Sequence, residues 1–205
     1  MEVKTVYFEK EGTENTETTL ALAGQRAKAL GIKTVVVAST FGDTAVKAAD
    51  VFKGLKVVVV SHCYGMRQPN TQTFTEANRK IVTDKGGIIL TTAHAFGGIN
   101  SALRPAGPPP PGPGAQPSTP PAMPPRSPVI GDIVAMTLLT FSRGMKVACE
   151  IAAMAADAGL VRTDEEVIAI GGSGRGADTA IVIQPSNAHR FFETKVKEII
   201  CKPRL

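Results

Sequence analysis

Short runs of β-branched residues alternate with longer segments of helical periodicity along most of the chain. In the runs Val35–Val37 and Val57–Val60 every position is apolar, which is typical of strands buried on both faces of a sheet. In the segment that precedes the first of these runs, Leu20, Ala23 and Ala27 recur at helical spacing. The alternation predicts an α/β fold of three layers, α/β/α, around a mostly parallel sheet.

The boundaries of the predicted elements follow from these patterns and from glycines at the predicted helix ends. The predicted strands are Val3–Phe8, Thr34–Ala38, Val57–Ser61, Ile88–Thr91, Val167–Ile170, Thr179–Ile183 and Val196–Cys201. The predicted helices are Asn15–Leu30, Asp43–Phe52, Thr75–Lys85, Gly131–Phe141 and Lys146–Ala158. We expect the second to fourth strands to pair in parallel and the strands at both chain ends to join one sheet.

Proline is concentrated in one segment, residues 105–128, which holds 12 of the 15 prolines. Because proline fixes φ and has no N–H to donate, this segment is incompatible with helix or sheet. We therefore predict a single domain over residues 1–205 with a flexible proline-rich insertion. The insertion is either a tolerated surface loop or a ligand for an SH3-like or WW-like partner.

Composition narrows the function classes. The net charge of +5 suits an anionic small molecule, but no Lys/Arg cluster or aromatic platform indicates nucleic-acid binding.

The sequence contains no apolar run long enough to span a membrane, and we expect a cytoplasmic protein. Its three cysteines, Cys63, Cys149 and Cys201, form no CxxC pair and are expected to be reduced core thiols. Neither a metal nor a cofactor is predicted.

The first candidate binding loop follows the strand Thr34–Ala38 and leads directly into a helix. It contains Ser39, Thr40, Gly42, Asp43 and Thr44. Free backbone N–H groups at a helix N-terminus can hold an anion, and the hydroxyls can add donors. Ordinary helix capping by Ser, Thr or Asp explains the same residues equally well.

The second candidate loop joins two apolar runs and is rich in glycine. Its candidate residues are Gly172, Ser173, Gly174, Arg175, Gly176, Asp178 and Thr179. Glycines permit close backbone approach to a ligand, and Arg175 offers a planar fork for a phosphate or carboxylate. The alternative interpretation is a glycine-rich hairpin with a solvated arginine.

Five ordered motifs resemble those of stand-alone proteins similar to the C-terminal domain of pyruvate kinase. They are FxKxGxENT (residues 8–16), VVASxxGDTA (36–45), KVxxEIxxMAADxG (146–159), GGxxRGADTA (171–180) and EIICKPR (198–204). The resemblance covers nearly the whole chain apart from the proline-rich segment. It implies that fold, a possible homo-oligomer, and a phosphate site formed by Ser39, Thr40, Gly42 and Thr44 together with Gly172, Ser173, Gly174 and Arg175.

Asp43 departs from the effector turn that the resemblance implies, because a carboxylate repels a bound phosphate. At about 5 Å and an effective dielectric of about 20, this repulsion is about 3 kcal/mol per unit pair of charges. Either Asp43 turns back as a cap, or Arg175 or Lys47 neutralises it, or the ligand is not a simple phosphate.

The functional hypothesis is a sensor or regulatory domain that binds a small phosphorylated or otherwise anionic metabolite in a crevice between the two loops. Pyruvate kinase catalysis is excluded because that enzyme's barrel domain is not encoded. One alternative is a hydrolase or phosphotransferase using Asp43 or Asp178. A second is an interaction module that uses the proline-rich segment.

Three further groups are given structural interpretations. We predict that Glu150 pairs with Lys146 one helical turn away. His62 and Cys63 follow the third strand but are adjacent in sequence, which disfavours a nucleophile and base on one face. His94 and His189 are predicted to be surface or helix-end residues.

Overall fold

The computed structural model describes residues 2–103 and 129–204, which form seven β-strands and five α-helices. The strands are β1 (Val6–Phe8), β2 (Thr34–Ala38), β3 (Lys56–Ser61), β4 (Ile88–Thr91), β5 (Val167–Gly171), β6 (Thr179–Gln184) and β7 (Lys195–Pro203). The helices are α1 (Thr16–Leu30), α2 (Asp43–Val51), α3 (Glu76–Asp84), α4 (Ile130–Leu139) and α5 (Arg143–Asp157). The proline-rich segment 105–128 lies outside the described residues.

All seven strands belong to one sheet in the order β1-β7-β6-β5-β2-β3-β4. The predicted parallel pairing of β2, β3 and β4 is confirmed, and β2 also pairs in parallel with β5. The two ends of the chain meet where β1 pairs in parallel with β7. Only β6 runs against its neighbours β5 and β7, so the sheet is mostly parallel.

The sheet is covered by helices on both faces, which confirms the predicted three layers. Successive side chains of a strand point to opposite faces. Accordingly, Val35 and Val37 of β2 pack in the cluster that contains α1 and α2, whereas Val36 packs in the cluster that contains α5. The uniformly apolar strand sequences therefore reflect two separate cores.

Side-chain and glycine caps explain where two helices begin and end. Gly31 ends α1 in the left-handed conformation, with φ of 69°. Helix α5 begins at Arg143, three residues before the predicted start, because the hydroxyl of Ser142 accepts a hydrogen bond from the N–H of Met145 at 2.9 Å.

The four mutually parallel strands β2, β3, β4 and β5 bring their carboxyl ends to the same edge of the sheet. The connection after β2 leads away to β3, while β5 lies on the other side of β2. Such a reversal of strand order opens a crevice between the two diverging connections, where α/β sheets place ligands. The loops that follow β2 and β5 are the two candidate binding loops.

Candidate functional site

A cavity of about 330 Å³ lies at this edge of the sheet, between the two candidate loops. Both loops contribute to its wall, together with residues that follow β3 and β4 and one face of α5. Its polar and charged lining residues are Ser39, Thr40, Asp43, Thr44, Ser61, His62, Arg67, His94, Lys146, Glu150 and Arg175. The backbone of Gly172, Gly174 and Gly176 completes the polar wall, and Ala38, Phe41, Val60, Val147, Ile151 and Met154 form the apolar part.

The β2–α2 loop combines helix capping with free donors. The Ser39 hydroxyl accepts hydrogen bonds from the N–H groups of Gly42 at 3.2 Å and Ala45 at 3.3 Å, so Ser39 caps α2. The first-turn N–H groups of Asp43 and Thr44 have no acceptor among the described residues. Capping and anion binding are therefore compatible in this loop, because they use different N–H groups.

Thr44 is a buried polar residue whose hydroxyl has no hydrogen-bond partner within the described residues. It is only 5% exposed, and it lines the cavity. In the part of the chain that the structure describes, the buried hydroxyl oxygens without a partner are those of Ser173 and Thr194, whereas the Thr44 hydroxyl oxygen retains accessible surface. Thr44 therefore marks a place where a bound molecule would satisfy a donor or acceptor of the protein.

Gly42 shapes the loop and does not line the cavity. Its φ is 100°, which L-residues with a side chain rarely adopt. A Cβ atom at this position would lie 2.5 Å from the Cβ of Asn78. The Asn78 amide in turn donates to the Phe41 carbonyl at 3.1 Å, so close packing against α3 fixes the turn.

Asp43 is neutralised by the arginine of the opposite loop. The Arg175 guanidinium lies 2.8 Å from the Asp43 carboxylate, and the Asn78 amide donates to the same carboxylate at 3.3 Å. Lys47, the other predicted partner, pairs with Glu17 at 2.8 Å. The ion pair between Asp43 and Arg175 thus connects two loops that are 132 residues apart in the sequence.

A second arginine provides positive charge that no carboxylate of the described chain neutralises. Arg67 lies over the Phe41 ring at 5.2 Å, and Arg175 lies over the same ring at 4.7 Å. The cavity is lined by three cationic side chains, those of Arg67, Lys146 and Arg175, and by two carboxylates. One positive charge is in excess, and it resides on Arg67.

The β5–β6 loop directs most of its side chains inward, which corrects our expectation for Ser173, Asp178 and Thr179. Asp178 is fully buried, and its carboxylate accepts from the N–H of Ser173 at 3.2 Å, the hydroxyl of Thr179 at 2.9 Å and the N–H of Gly12 at 3.4 Å. None of Ser173, Asp178 and Thr179 lines the cavity. A buried carboxylate needs several donors, and the loop folds around Asp178 to supply them.

The glycines of this loop make room for neighbouring backbone. Gly176 has φ of 75°, and a Cβ atom there would lie 2.4 Å from the Thr16 hydroxyl oxygen. That oxygen accepts a hydrogen bond from the N–H of Ala177 at 3.1 Å. The start of α1 therefore supports the loop from behind, while Gly172, Gly174 and Gly176 present their backbone to the cavity.

Helix α5 forms the wall of the cavity opposite α2. The predicted ion pair between Lys146 and Glu150 is present, and the N–H of Phe96 also donates to the Glu150 carboxylate at 3.0 Å. Glu150 is 4% exposed, so its charge is compensated within the protein. On the same face, Val147 and Ile151 supply apolar surface.

Two histidines meet in the cavity, which shows that the surface interpretation of His94 was wrong. The rings of His62 and His94 lie edge to face with centroids 5.1 Å apart, and His62 Nε2 lies 3.3 Å from the Thr40 hydroxyl. Burial lowers the pKa of both imidazoles, and the His94, Arg67 and Lys146 charges lower the pKa of His62 further while Glu150 opposes them. His189 is exposed on a short 3₁₀ helix, as predicted.

The cysteines take no part in the cavity wall. Burial raises the pKa of the Cys149 thiol to about 12 and, as the largest of several effects, that of Cys201 to about 11. Cys63 is half-buried and does not line the cavity beside His62. All three thiols are free, as the sequence indicated.

Sequence reasoning missed Arg67 and His94. His94 follows the end of β4 by three residues, so its position beyond a strand's carboxyl end could have placed it beside His62. Arg67 lies in an irregular segment between β3 and α3, where no periodicity marks the direction of a side chain.

No protein-family model matches this chain. Within residues 2–103 and 129–204, no cluster of three or more His, Cys, Asp or Glu side chains is arranged to hold a metal ion. None of the helices in the same ranges combines the length and the apolar character that crossing a membrane requires.

Proposed function

We propose that this protein binds a small phosphorylated or otherwise anionic metabolite in the cavity between the β2–α2 and β5–β6 loops. The role that fits such a site without a complete catalytic set is that of a sensor or regulatory domain. The anionic group lies against the first turn of α2, within reach of the Thr40 and Thr44 hydroxyls. Arg67 supplies the charge that attracts it.

The observation that carries this proposal is the unsatisfied polar surface at Thr44. Its hydroxyl and the N–H groups of Asp43 and Thr44 belong to residues that line one cavity, and no described residue accepts from them. Three free donors on two neighbouring residues, at the positive end of a helix dipole, match the oxygens of a phosphate or carboxylate.

The ion pair between Asp43 and Arg175 compensates the charge with which Asp43 would otherwise repel a bound anion. An unpaired carboxylate beside the helix terminus would repel an anion by more than the helix dipole attracts it, since the dipole contributes only about 0.3–2 kcal/mol. With Arg175 at 2.8 Å, the Asp43 charge is compensated. The net attraction then comes from Arg67 and the α2 donors.

We also infer that the chain is a stand-alone relative of the C-terminal domain of pyruvate kinase. The five sequence motifs support this inference, as does the placement of two of them in the loops around one cavity. Pyruvate kinase activity itself is not proposed. The predicted homo-oligomer and the interaction role of residues 105–128 stay predictions.

The alternative of a hydrolase or phosphotransferase receives less support from the geometry. Asp178 is enclosed by its three donors and does not reach the cavity. Asp43 does reach the cavity, but Arg175 and Asn78 hold its carboxylate. Neither carboxylate is placed to act as a free base or metal ligand.

Thermal-shift and calorimetric titration with phosphomonoesters and carboxylates at low ionic strength tests the proposal. A ligand at about 100 times its Kd raises the unfolding free energy by about 2.7 kcal/mol. We expect stabilisation of the wild type by at least one phosphomonoester, and its loss in Arg67→Ala. Lys80→Ala, which removes an exposed cation on α3 outside the cavity, is the matched control. Stabilisation that is equal in wild type and Arg67→Ala would contradict the site.

A further inference from the structure

The cavity has two chemically different walls. The wall formed by the β2–α2 loop offers free hydrogen-bond donors, and Arg67 lies against its Phe41 ring. The wall formed by α5 is apolar at Val147 and Ile151, and its one ion pair is internally compensated. The α5 wall therefore offers no free positive charge to a second anionic group.

His62 and His94 lie between these walls and expose polar ring atoms. The Thr40 hydroxyl contacts His62 Nε2, and no residue of the described ranges hydrogen-bonds to the His94 ring. Both imidazoles line the cavity. A neutral imidazole provides one donor and one acceptor, which suits a hydroxyl or carbonyl group.

The distances allow one molecule to reach both walls. A phosphate oxygen that bonds the Thr40 hydroxyl lies within two hydrogen-bond lengths, about 6 Å, of His62 Nε2. A body of two or three carbon atoms attached to that phosphate spans this separation. The cavity volume of about 330 Å³ accommodates a molecule of this size with room for a larger body.

We infer that His62 and His94 form an uncharged hydrogen-bonding subsite beside the anion site. The cavity accordingly selects a molecule with one anionic group and a neutral body that carries a hydroxyl or carbonyl group. This inference rests on the proposed function and specifies its ligand class. A molecule with anionic groups at both ends is disfavoured, because its second charge would meet Glu150 and two neutral rings without a free cation.

The charged groups around the histidines favour the same conclusion. His62 faces Arg67, His94, Lys146 and Glu150, whereas His94 faces Lys146 and Glu150. Burial favours the neutral imidazole in both cases. Below their lowered pKa values, His62 and His94 become positively charged. A ligand with a second anionic group is therefore expected to bind well only at low pH.

Three probes with the same phosphate and the same carbon skeleton test the inference by calorimetry. They are propyl phosphate, 3-hydroxypropyl phosphate and 3-phosphooxypropanoate, which end in a methyl, a hydroxyl and a carboxylate group. At about pH 8, where the imidazoles are neutral, we expect the hydroxyl probe to bind about fivefold tighter than the methyl probe. We expect the carboxylate probe to bind more weakly than the hydroxyl probe, and to regain affinity as the pH falls through the lowered pKa values of His62 and His94.

Variants separate the subsite from the anion site. His94→Leu should abolish the preference for the hydroxyl probe while the affinity for propyl phosphate stays within about twofold. His94→Asn, which keeps a donor and an acceptor, should retain part of the preference, and His189→Leu on the surface should retain all of it.

The probe series in the wild type decides the inference even if a variant fails to fold. Equal binding of the methyl and hydroxyl probes, or tightest binding of the carboxylate probe at about pH 8, would overturn the subsite and leave the proposed function intact. Binding of none of the three would overturn both.

Discussion

The two loops that line the cavity have similar composition but use their polar groups in opposite ways. The β2–α2 loop satisfies only part of its hydrogen-bonding capacity through Ser39 and leaves the N–H and hydroxyl of Thr44 facing the cavity. The β5–β6 loop directs two donors to the buried carboxylate of Asp178 and leaves the buried hydroxyl of Ser173 without a partner among the described residues. Its contribution to the cavity is glycine backbone and the side chain of Arg175.

The comparison distinguishes polar residues that are free to bind a ligand from polar residues that stabilise their own loop. A sequence rich in Gly, Ser, Thr and Asp indicates a loop with many donors and acceptors. Whether they are free depends on which of them are already paired in the fold. We therefore expect substitution of the inward-facing Asp178 to change mainly stability, and substitution of the cavity-lining Thr44 and Arg175 to change mainly binding.

The largest effect is expected for Asp178→Ala. The substitution removes the acceptor of the Ser173 N–H and the Thr179 hydroxyl, and two hydrogen bonds to a charged group contribute about 3–6 kcal/mol together. Chemical denaturation should show a loss of this size in the free energy of unfolding. A loss below about 1 kcal/mol would place Asp178 outside the structural role assigned to it.

Arg175→Ala should weaken phosphomonoester binding by about tenfold, because the Asp43 carboxylate then has no cation to compensate its charge beside the anion. The ion pair is exposed, so stability should change by no more than about 1 kcal/mol. Adding Asp43→Asn to Arg175→Ala should recover part of the affinity in a calorimetric double-mutant cycle. Additive losses in the cycle would contradict the neutralising role of Arg175.

Thr44→Val should weaken binding by about fivefold, since one hydrogen bond to the anion is lost while the shape of the side chain is kept. Stability should change by less than about 1 kcal/mol, because the hydroxyl has no hydrogen-bond partner among the described residues. Parallel denaturation and titration check both expectations. Destabilisation by more than about 1 kcal/mol would show that the hydroxyl has a structural partner.

The smallest expected effect is on the pH dependence of the free energy of unfolding. Because folding lowers the pKa of His62 and His94, the unfolded chain binds more protons in the interval between those lowered values and about 6.5. These two groups therefore make the free energy of unfolding rise with pH across that interval and contribute no slope above it. His62→Gln should reduce the slope, whereas His189→Gln should not. An unchanged slope in His62→Gln would refute this assignment.

The secondary structure and the parallel pairing of β2, β3 and β4 could be predicted, because buried parallel strands and helical repeats leave a strong periodic signal, whereas the strand order and the antiparallel direction of β6 were not predicted. Both end strands and all five helices were expected from these patterns. The β2–α2 loop could be located because it connects a buried strand to a capped helix. The inward turn of Asp178 could not, because it depends on donors from Gly12, which is 166 residues away in sequence.

The remaining parts of the cavity depend on long-range contacts of the same kind. The Asp43–Arg175 pair was one of several alternatives left open by the sequence, and only the meeting of two distant loops selects it. Arg67 was missed because irregular segments carry no periodic signal for side-chain direction. The geometry of the cavity thus depends on tertiary packing, and the sequence indicated the residues of the two loops, including Asp43 and Arg175, but not the residues that complete the cavity.

An NMR titration of backbone amides with propyl phosphate shows whether both loops hold one ligand. We expect the amide signals of Asp43 and Thr44 to shift together with those of Gly172, Gly174 and Gly176, with one common dissociation constant. Shifts confined to a single loop, different constants for the two loops, or shifts located away from the cavity would contradict a shared site.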